Sequence, residues 1–243
     1  MMSKSQYISS MGDTSWVDAR ILGEYVQKGR VHFDCVHRSS EVFRFNTLEL
    51  QEHLHRAESN VAMSMSLMTD VGHASDPSEM TRQEYWIRLD QRLQNMLSSA
   101  IALVDHTRCL VEFYGDKPSF QAEFTARNDV IRTAPEFTFL REFRNFLLHH
   151  GIPPMQTTLR LKDDSLDQQQ NWFEILLSSP ALLDARDWTA VPREFIKNNP
   201  NGIHLSVLVR SYSTKMGELY SWLFAQYSVL HVPGVPPQFT INQ

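Results

Sequence analysis

Near the middle of the chain the sequence reads Leu140-Arg141-Glu142-Phe143-Arg144-Asn145-Phe146-Leu147-Leu148-His149-His150-Gly151. Its apolar residues recur at the spacing of a helix. One broad face of that helix must be buried, which requires other elements to cover it. Pro135 suits the first turn, and Gly151 suits the end. The apolar face consists of Phe139, Leu140, Phe143, Phe146 and Leu147.

The polar face of the same helix carries three residues spaced four apart, Arg141, Asn145 and His149. Residues at this spacing stack along one stripe. Arg144 lies at the border of the stripe, about 140° from His149 around an ideal helix. The two side chains of one chain are therefore not expected to touch. Two copies packed about a twofold axis would bring the pairs from both chains to one cleft.

An arginine and a histidine on one helix indicate a metal-free site that opens a phosphodiester. Arginine is a permanently charged fork that suits phosphate, and histidine alone titrates near neutral pH. A plainer interpretation stays open for His149, because a histidine in the last turn can bind the terminal carbonyls and is favoured there as a cation. His150 turns toward the apolar side and is more typical of a capping or core histidine.

The run of Arg144-Asn145, three apolar residues and His149 resembles the signature of the HEPN superfamily, the higher eukaryotes and prokaryotes nucleotide-binding domain. In that signature an arginine, a polar residue and a histidine four to six positions after the arginine lie on a bundle helix. The close match covers about a dozen residues, and the helical remainder fits loosely. Many members are ribonucleases of RNA-targeting defence systems and toxin-antitoxin pairs, and others have lost activity. The resemblance implies an antiparallel helical bundle and a composite site in a homodimer.

The expected activity is metal-independent cleavage of RNA, with the ribose 2′-hydroxyl as the nucleophile. We expect Arg144 and His149 to be catalytic, with Asn145 orienting one of them, and no cofactor. Arg141 and His150 are the candidate substrate-binding residues. The alternative is a noncatalytic HEPN-like dimer that binds nucleotide, RNA or a protein partner. In a third interpretation the activity exists but is held off by an antitoxin or another regulatory partner.

Composition places limits on the setting. No apolar run approaches the roughly 20 residues that cross a bilayer, and the first residues lack an apolar signal core, so we expect a cytoplasmic protein with no membrane contact. Cys35 and Cys109 lack a metal-binding spacing, which predicts buried thiols in a reducing compartment. A net charge of −5 argues against coating long nucleic acids but not against a confined basic cleft. Basic residues outnumber acidic ones between Arg127 and Arg160.

The chain as a whole predicts a mainly α fold, an antiparallel bundle with a β-hairpin inserted after the motif helix. Residues 1–45 are expected to form an extension on the core, with a short strand at Val42-Phe43-Arg44-Phe45. Residues 46–232 are expected to form the bundle, including the hairpin at about 153–179, and residues 233–243 a flexible tail. His32, Asp34 and His37 match no closed ligand set, so no metal is expected. Helices are predicted from Thr47 to about Met68, from Ser78 or Thr81 to about Tyr114, from about Ser119 with a kink or restart at Pro135, and from Ile203 to about Leu230. The predicted core anchors are Trp172, Trp188 and Trp222.

Overall fold

The computed structural model describes residues 15–68, 81–151, 155–160 and 172–231. Within these ranges the protein is mainly helical, with one small antiparallel sheet. The coarse fold prediction is therefore confirmed. The elements are α1 (Ser15–Ser59), α2 (Val61–Met68), α3 (Arg82–Phe113), α4 (Pro118–Thr133), α5 (Pro135–His150), β1 (Met155–Arg160), β2 (Trp172–Leu177), α6 (Ser179–Ala185), α7 (Ala190–Lys197), β3 (Ile203–His204) and α8 (Leu205–His231).

The core lies between the three long helices, where α1 packs along α3 and also contacts α8. Four apolar residues of α1 are spaced seven positions apart, and these four are buried. This is the spacing that keeps a seam of one long helix against its neighbour. Packing of such a seam, rather than helix propensity, accounts for most of the stability of long helices. The α1 seam consists of Val36, Phe43, Leu50 and Ala57.

The strand predicted at Val42–Phe45 is wrong, because these residues lie within α1. Phe43 faces the core at 5% exposure, whereas Val42 and Phe45 are 54% and 57% exposed. Four alternating residues imitate a strand, but the seven-residue apolar repeat from Val36 to Ala57 includes Phe43 and is typical of a helix. A single helix therefore runs through the boundary expected between residues 45 and 46. The helix predicted from Thr47 to Met68 is interrupted at Asn60, where α1 ends and α2 follows.

The other helix boundaries follow from local chemistry. Thr81 caps α3 as predicted: its hydroxyl accepts the Glu84 N–H at 3.2 Å, and the Glu84 carboxylate accepts the Thr81 N–H at 3.0 Å. The alternative start at Ser78 lies outside the described residues. Pro118 and Pro135 each occupy the first turn of a helix, where a missing N–H costs nothing. The chain therefore restarts at Pro135 to form α5.

The predicted β-hairpin is confirmed for its two strands, since β1 pairs with β2 in antiparallel register, Met155 opposite Leu177. The turn that joins them lies outside the described residues. A third strand, β3, pairs with β2 and was not predicted. Gly202 precedes it with φ +109°, and a Cβ there would lie 3.0 Å from the Leu176 Cβ. Only glycine fits this approach without strain.

Several smaller predictions have mixed outcomes. The segment between β2 and β3 consists mainly of two short helices, α6 and α7. Both cysteines are free and exposed, so the prediction of buried thiols is wrong. Trp188 is a core residue at 4% exposure, whereas Trp222 is only partly buried. The predicted tail, residues 233–243, lies outside the described residues. Of the described helices, none has the length and apolar character that crossing a lipid bilayer requires.

Candidate functional site on helix α5

Helix α5 is fixed to the rest of the protein by aromatic packing on its buried face. Phe139 and Phe146 lie 5.5 and 5.6 Å from the Trp188 ring, centroid to centroid. Phe139 also contacts Phe195 of α7 at 5.4 Å. The Trp188 indole donates a hydrogen bond to the Leu182 carbonyl at 2.7 Å, so this buried ring has its polar group satisfied. This packing sets the position of α5.

Glu142 fixes the rotation of α5 about its own axis. Its carboxylate accepts the backbone N–H of Thr189 at 3.3 Å and a hydrogen bond from the Thr189 hydroxyl. Thr189 is the residue that precedes α7, so Glu142 supplies the acceptor that this helix start otherwise lacks. Arg186 lies 3.8 Å from the same carboxylate and stacks over Trp188 at 4.9 Å. The polar face of α5 is therefore held in one direction.

The exposed stripe of α5 contains the residues that the sequence singled out. Arg141, Asn145 and His149 are all exposed, and Leu148 between them is 51% exposed. Gly151 ends the helix with φ +77°. No described residue hydrogen-bonds to the His149 side chain, and this includes the terminal carbonyls of α5. Within the part of the chain that the structure describes, no hydrogen bond supports the interpretation of His149 as a helix cap. The side chain of His150 is not among those described.

Arg144 differs from its neighbours because part of its guanidinium is buried. Its Nη1 donates to the Asn145 Oδ1 at 3.4 Å, and its Nε is buried without a hydrogen-bond partner. Within the described residues Arg144 has no carboxylate partner either. A buried N–H that lacks an acceptor costs about 1–3 kcal/mol, more for a charged group. Arg144 is therefore a cation that no described carboxylate neutralises and whose Nε is shielded from solvent.

The structure brings Arg144 and Asn145 together but leaves Arg144 and His149 at opposite edges of the stripe. On an ideal helix His149 points within about 20° of Glu142, toward α7. Arg144 instead borders a cavity on the other side, and His149 does not line it. One copy of α5 therefore offers the guanidinium and the imidazole to different regions of solvent.

The cavity beside Arg144 lies between α3, α4, α5 and α8 and has a volume of about 420 Å³. Four arginines line it, from three different helices. The sequence singled out two of them, Arg141 and Arg144. It gave no signal for Arg108 and placed Arg132 only within a general basic excess, because the approach of both to α5 depends on how the helices pack. The local basic excess between Arg127 and Arg160 was the nearest indication.

The remaining histidine clusters do not form a second site of this kind. His53 is buried at 3% exposure whereas His55 is exposed, so the two side chains face different directions. The trio of His32, Asp34 and His37 lies on α1 rather than on a strand or loop. Across the described ranges, no group of three or more His, Cys, Asp or Glu side chains is placed to hold a metal ion.

Comparisons with known proteins give no match: no family model matches the chain, and neither does any curated protein or any solved structure.

Proposed function

We propose that the protein is a metal-independent endoribonuclease of the HEPN type whose site is completed by a second copy of the chain. The observation that supports this proposal is the state of the two key side chains. Arg144 has no carboxylate partner among the described residues, and His149 is exposed at a helix end without a described hydrogen bond. In the proposal the substrate presents a phosphate to the guanidinium and a hydroxyl to the imidazole.

In the proposed reaction His149 accepts the proton of the ribose 2′-hydroxyl as the 2′-oxygen attacks phosphorus. The bond from phosphorus to the 5′-oxygen breaks, and the same His149 returns the proton to that oxygen. Arg144 holds the negative charge on the five-coordinate phosphate, and Asn145 keeps the guanidinium in place through its amide oxygen. The products are a 2′,3′-cyclic phosphate and a 5′-hydroxyl. DNA is inert because it lacks the nucleophile.

The need for a second copy follows from the geometry of α5. Arg144 and His149 flank opposite edges of one stripe, so no single phosphate reaches both within one chain. A twofold arrangement over this stripe places the guanidinium of one chain beside the imidazole of the other. Leu148, which is 51% exposed in the middle of the stripe, supplies apolar surface for that contact. Within this proposal, an antitoxin or regulatory protein that covers the stripe would hold the activity off.

The test is incubation of the purified protein with mixed single-stranded RNA in EDTA, followed by analysis of fragment ends. We expect cleavage with cyclic-phosphate ends, and His149→Ala should lower the rate by about 10² to 10⁴, the usual contribution of a general acid or base. His55→Ala is the matched control, because His55 is an exposed histidine on α1. Cleavage that persists undiminished in His149→Ala, or that EDTA abolishes, refutes the proposal.

Mixing two inactive variants tests the composite site directly. A dimer of one Arg144→Ala chain and one His149→Ala chain keeps one intact arginine and one intact histidine on different chains. After subunit exchange the mixture should recover roughly a quarter of the wild-type rate, since half of the dimers are mixed and each has one of its two sites intact. RNA that binds to both variants without any cleavage, mixed or alone, instead supports the noncatalytic dimer.

A further inference from the structure

The cavity between α3, α4, α5 and α8 has the features of a binding site for a small molecule. Its volume of about 420 Å³ falls within the roughly 300–1,000 Å³ of typical ligand pockets. Its walls are mostly apolar and come from all four helices. Such walls exclude water and favour an apolar ligand body. The apolar lining includes Ile101, Val104, Phe124, Leu140, Met216 and Leu219.

The charges around this cavity favour an anion. Four arginines line it against two carboxylates, Asp105 and Glu112. Arg108 lies 3.3 Å from Asp105, and Arg132 lies 3.0 Å from Asp129, so these two arginines are already paired. The two arginines on α5 are not paired with any carboxylate that the structure describes. Glu112 has no ion pair among the described residues, so the two α5 arginines leave the cavity with a net excess of one positive charge.

Two polar groups that line the cavity can donate hydrogen bonds to a ligand. The Arg144 guanidinium makes one described hydrogen bond, from its Nη1 to Asn145, so its terminal nitrogens retain further donors. Tyr212 also lines the cavity, and no described residue hydrogen-bonds to its hydroxyl. Burial raises the pKa of Tyr212 to about 12, so the hydroxyl remains a donor at neutral pH. Both groups can donate to the same kind of ligand atom, an anionic oxygen.

We propose that this cavity binds a small organic anion with a single charged head and an apolar body, of the class of medium-chain acyl carboxylates and alkyl phosphates. The head lies against Arg141 and Arg144, and the apolar body lies along Val104 and the other apolar walls. This inference concerns binding alone. It does not depend on RNA cleavage, and His149, which lies outside the cavity, takes no part in it.

Calorimetric titration of the full chain with dodecanoate and with dodecyl phosphate, below the concentrations at which they form micelles, tests the proposal. We expect both to bind, because they share the anionic head and the apolar body. Comparison of dodecanoate with dodecyl phosphate shows whether the site binds a carboxylate head or a phosphate head more tightly. Dodecanol, which has no charge, and inorganic phosphate, which has no apolar body, should each bind at least tenfold more weakly.

Two variants of matched chemistry show where the probes bind. Val104 lines the cavity at 40% exposure, so Val104→Glu places a negative charge at its mouth on a position that tolerates solvent. We expect this variant to weaken dodecanoate binding at least tenfold. Val130→Glu introduces the same change at a 61% exposed position of α4 that does not line the cavity, and it should bind as the wild type does. Arg141→Gln should weaken binding several-fold.

Three results overturn the proposal. Equal affinity for dodecanol and dodecanoate shows that the arginines make no contribution. Equal affinity for inorganic phosphate and dodecyl phosphate shows that the apolar walls make none. Equal affinity of the Val104→Glu and Val130→Glu variants shows that the probes bind elsewhere. The Val104→Glu and Val130→Glu variants leave all the candidate RNA-site residues intact, whereas Arg141→Gln changes one of them. Probe binding is measured without RNA, so these results are separate from any test of cleavage.

Discussion

His53 and Tyr85 hold each other in place across the interface of α1 and α3. Their rings stack at 4.2 Å with an angle of 15° between the planes. The His53 Nε2 donates to the Tyr85 carbonyl at 3.0 Å, and the Tyr85 hydroxyl donates to the His53 carbonyl at 3.3 Å. Arg92 lies 3.3 Å from the remaining nitrogen, Nδ1, which accepts from it only while the imidazole is neutral. The interface is therefore built for a neutral histidine.

This arrangement makes stability depend on pH. Burial and the nearby arginines lower the pKa of His53 from 6.5 to about 4, so between these values the unfolded chain binds a proton that the folded chain does not. The free energy of unfolding should therefore fall as pH falls through this window. Burial raises the pKa of Asp90 to about 6, which changes the pH dependence of stability in the opposite direction. Comparison of the wild type with a His53 variant isolates the contribution of the histidine. Urea denaturation should show a smaller loss between pH 7 and pH 5 in His53→Gln than in the wild type, and an equal loss contradicts this account.

Strand β3 depends on Gly202. Its φ of +109° is strained for any L side chain, and a Cβ at this position would lie 3.0 Å from the Leu176 Cβ of β2. Gly202→Ala should lower the free energy of unfolding by at least about 1 kcal/mol, because the backbone strain adds to the clash. Gly217 on α8 is the matched control, since a Cβ there meets nothing within 4 Å. Gly217→Ala should leave the protein as stable or stabilise it by up to about 1 kcal/mol, and equal effects of the two variants would refute the role of Gly202.

Elements were predictable from sequence where the signal is local. Thr81 and Pro135 mark helix starts through a cap and a fixed φ angle, and these boundaries agree with the structure. The two residues of β3 form a strand only because β2 is beside them, so no sequence pattern could indicate it. The strand predicted at Val42–Phe45 was wrong for a related reason, because a short alternation of apolar residues suggested a strand within a repeat of longer period. In both segments the secondary structure depends on packing against distant parts of the chain.

The candidate site was predictable in its residues but not in its surroundings. The spacing of Arg144, Asn145 and His149 on one helix follows from the sequence, and so does the separation of Arg144 from His149. The burial of the Arg144 Nε and the convergence of Arg108 and Arg132 on the same cavity do not. Both depend on how α3 and α4 pack against α5. Sequence therefore identifies chemical groups, whereas the tertiary structure determines which of them are left without partners.

The proposed activity depends on contact between two chains through the exposed stripe of α5. Leu148 is the large apolar side chain of this stripe, so Leu148→Asp places a charge where the proposed contact excludes water. Light scattering should change from twice the 28.2 kDa chain mass to the single chain mass, and RNA cleavage should fall in parallel. Val130→Asp, at an exposed position of α4, should change neither property.

Since Leu148 is already solvated in one chain, the Leu148→Asp protomer should remain folded, and unaltered circular dichroism would verify this. A Leu148→Asp protein that is monomeric yet cleaves RNA at the wild-type rate would show that the site is complete in one chain, which the separation of Arg144 and His149 around α5 argues against.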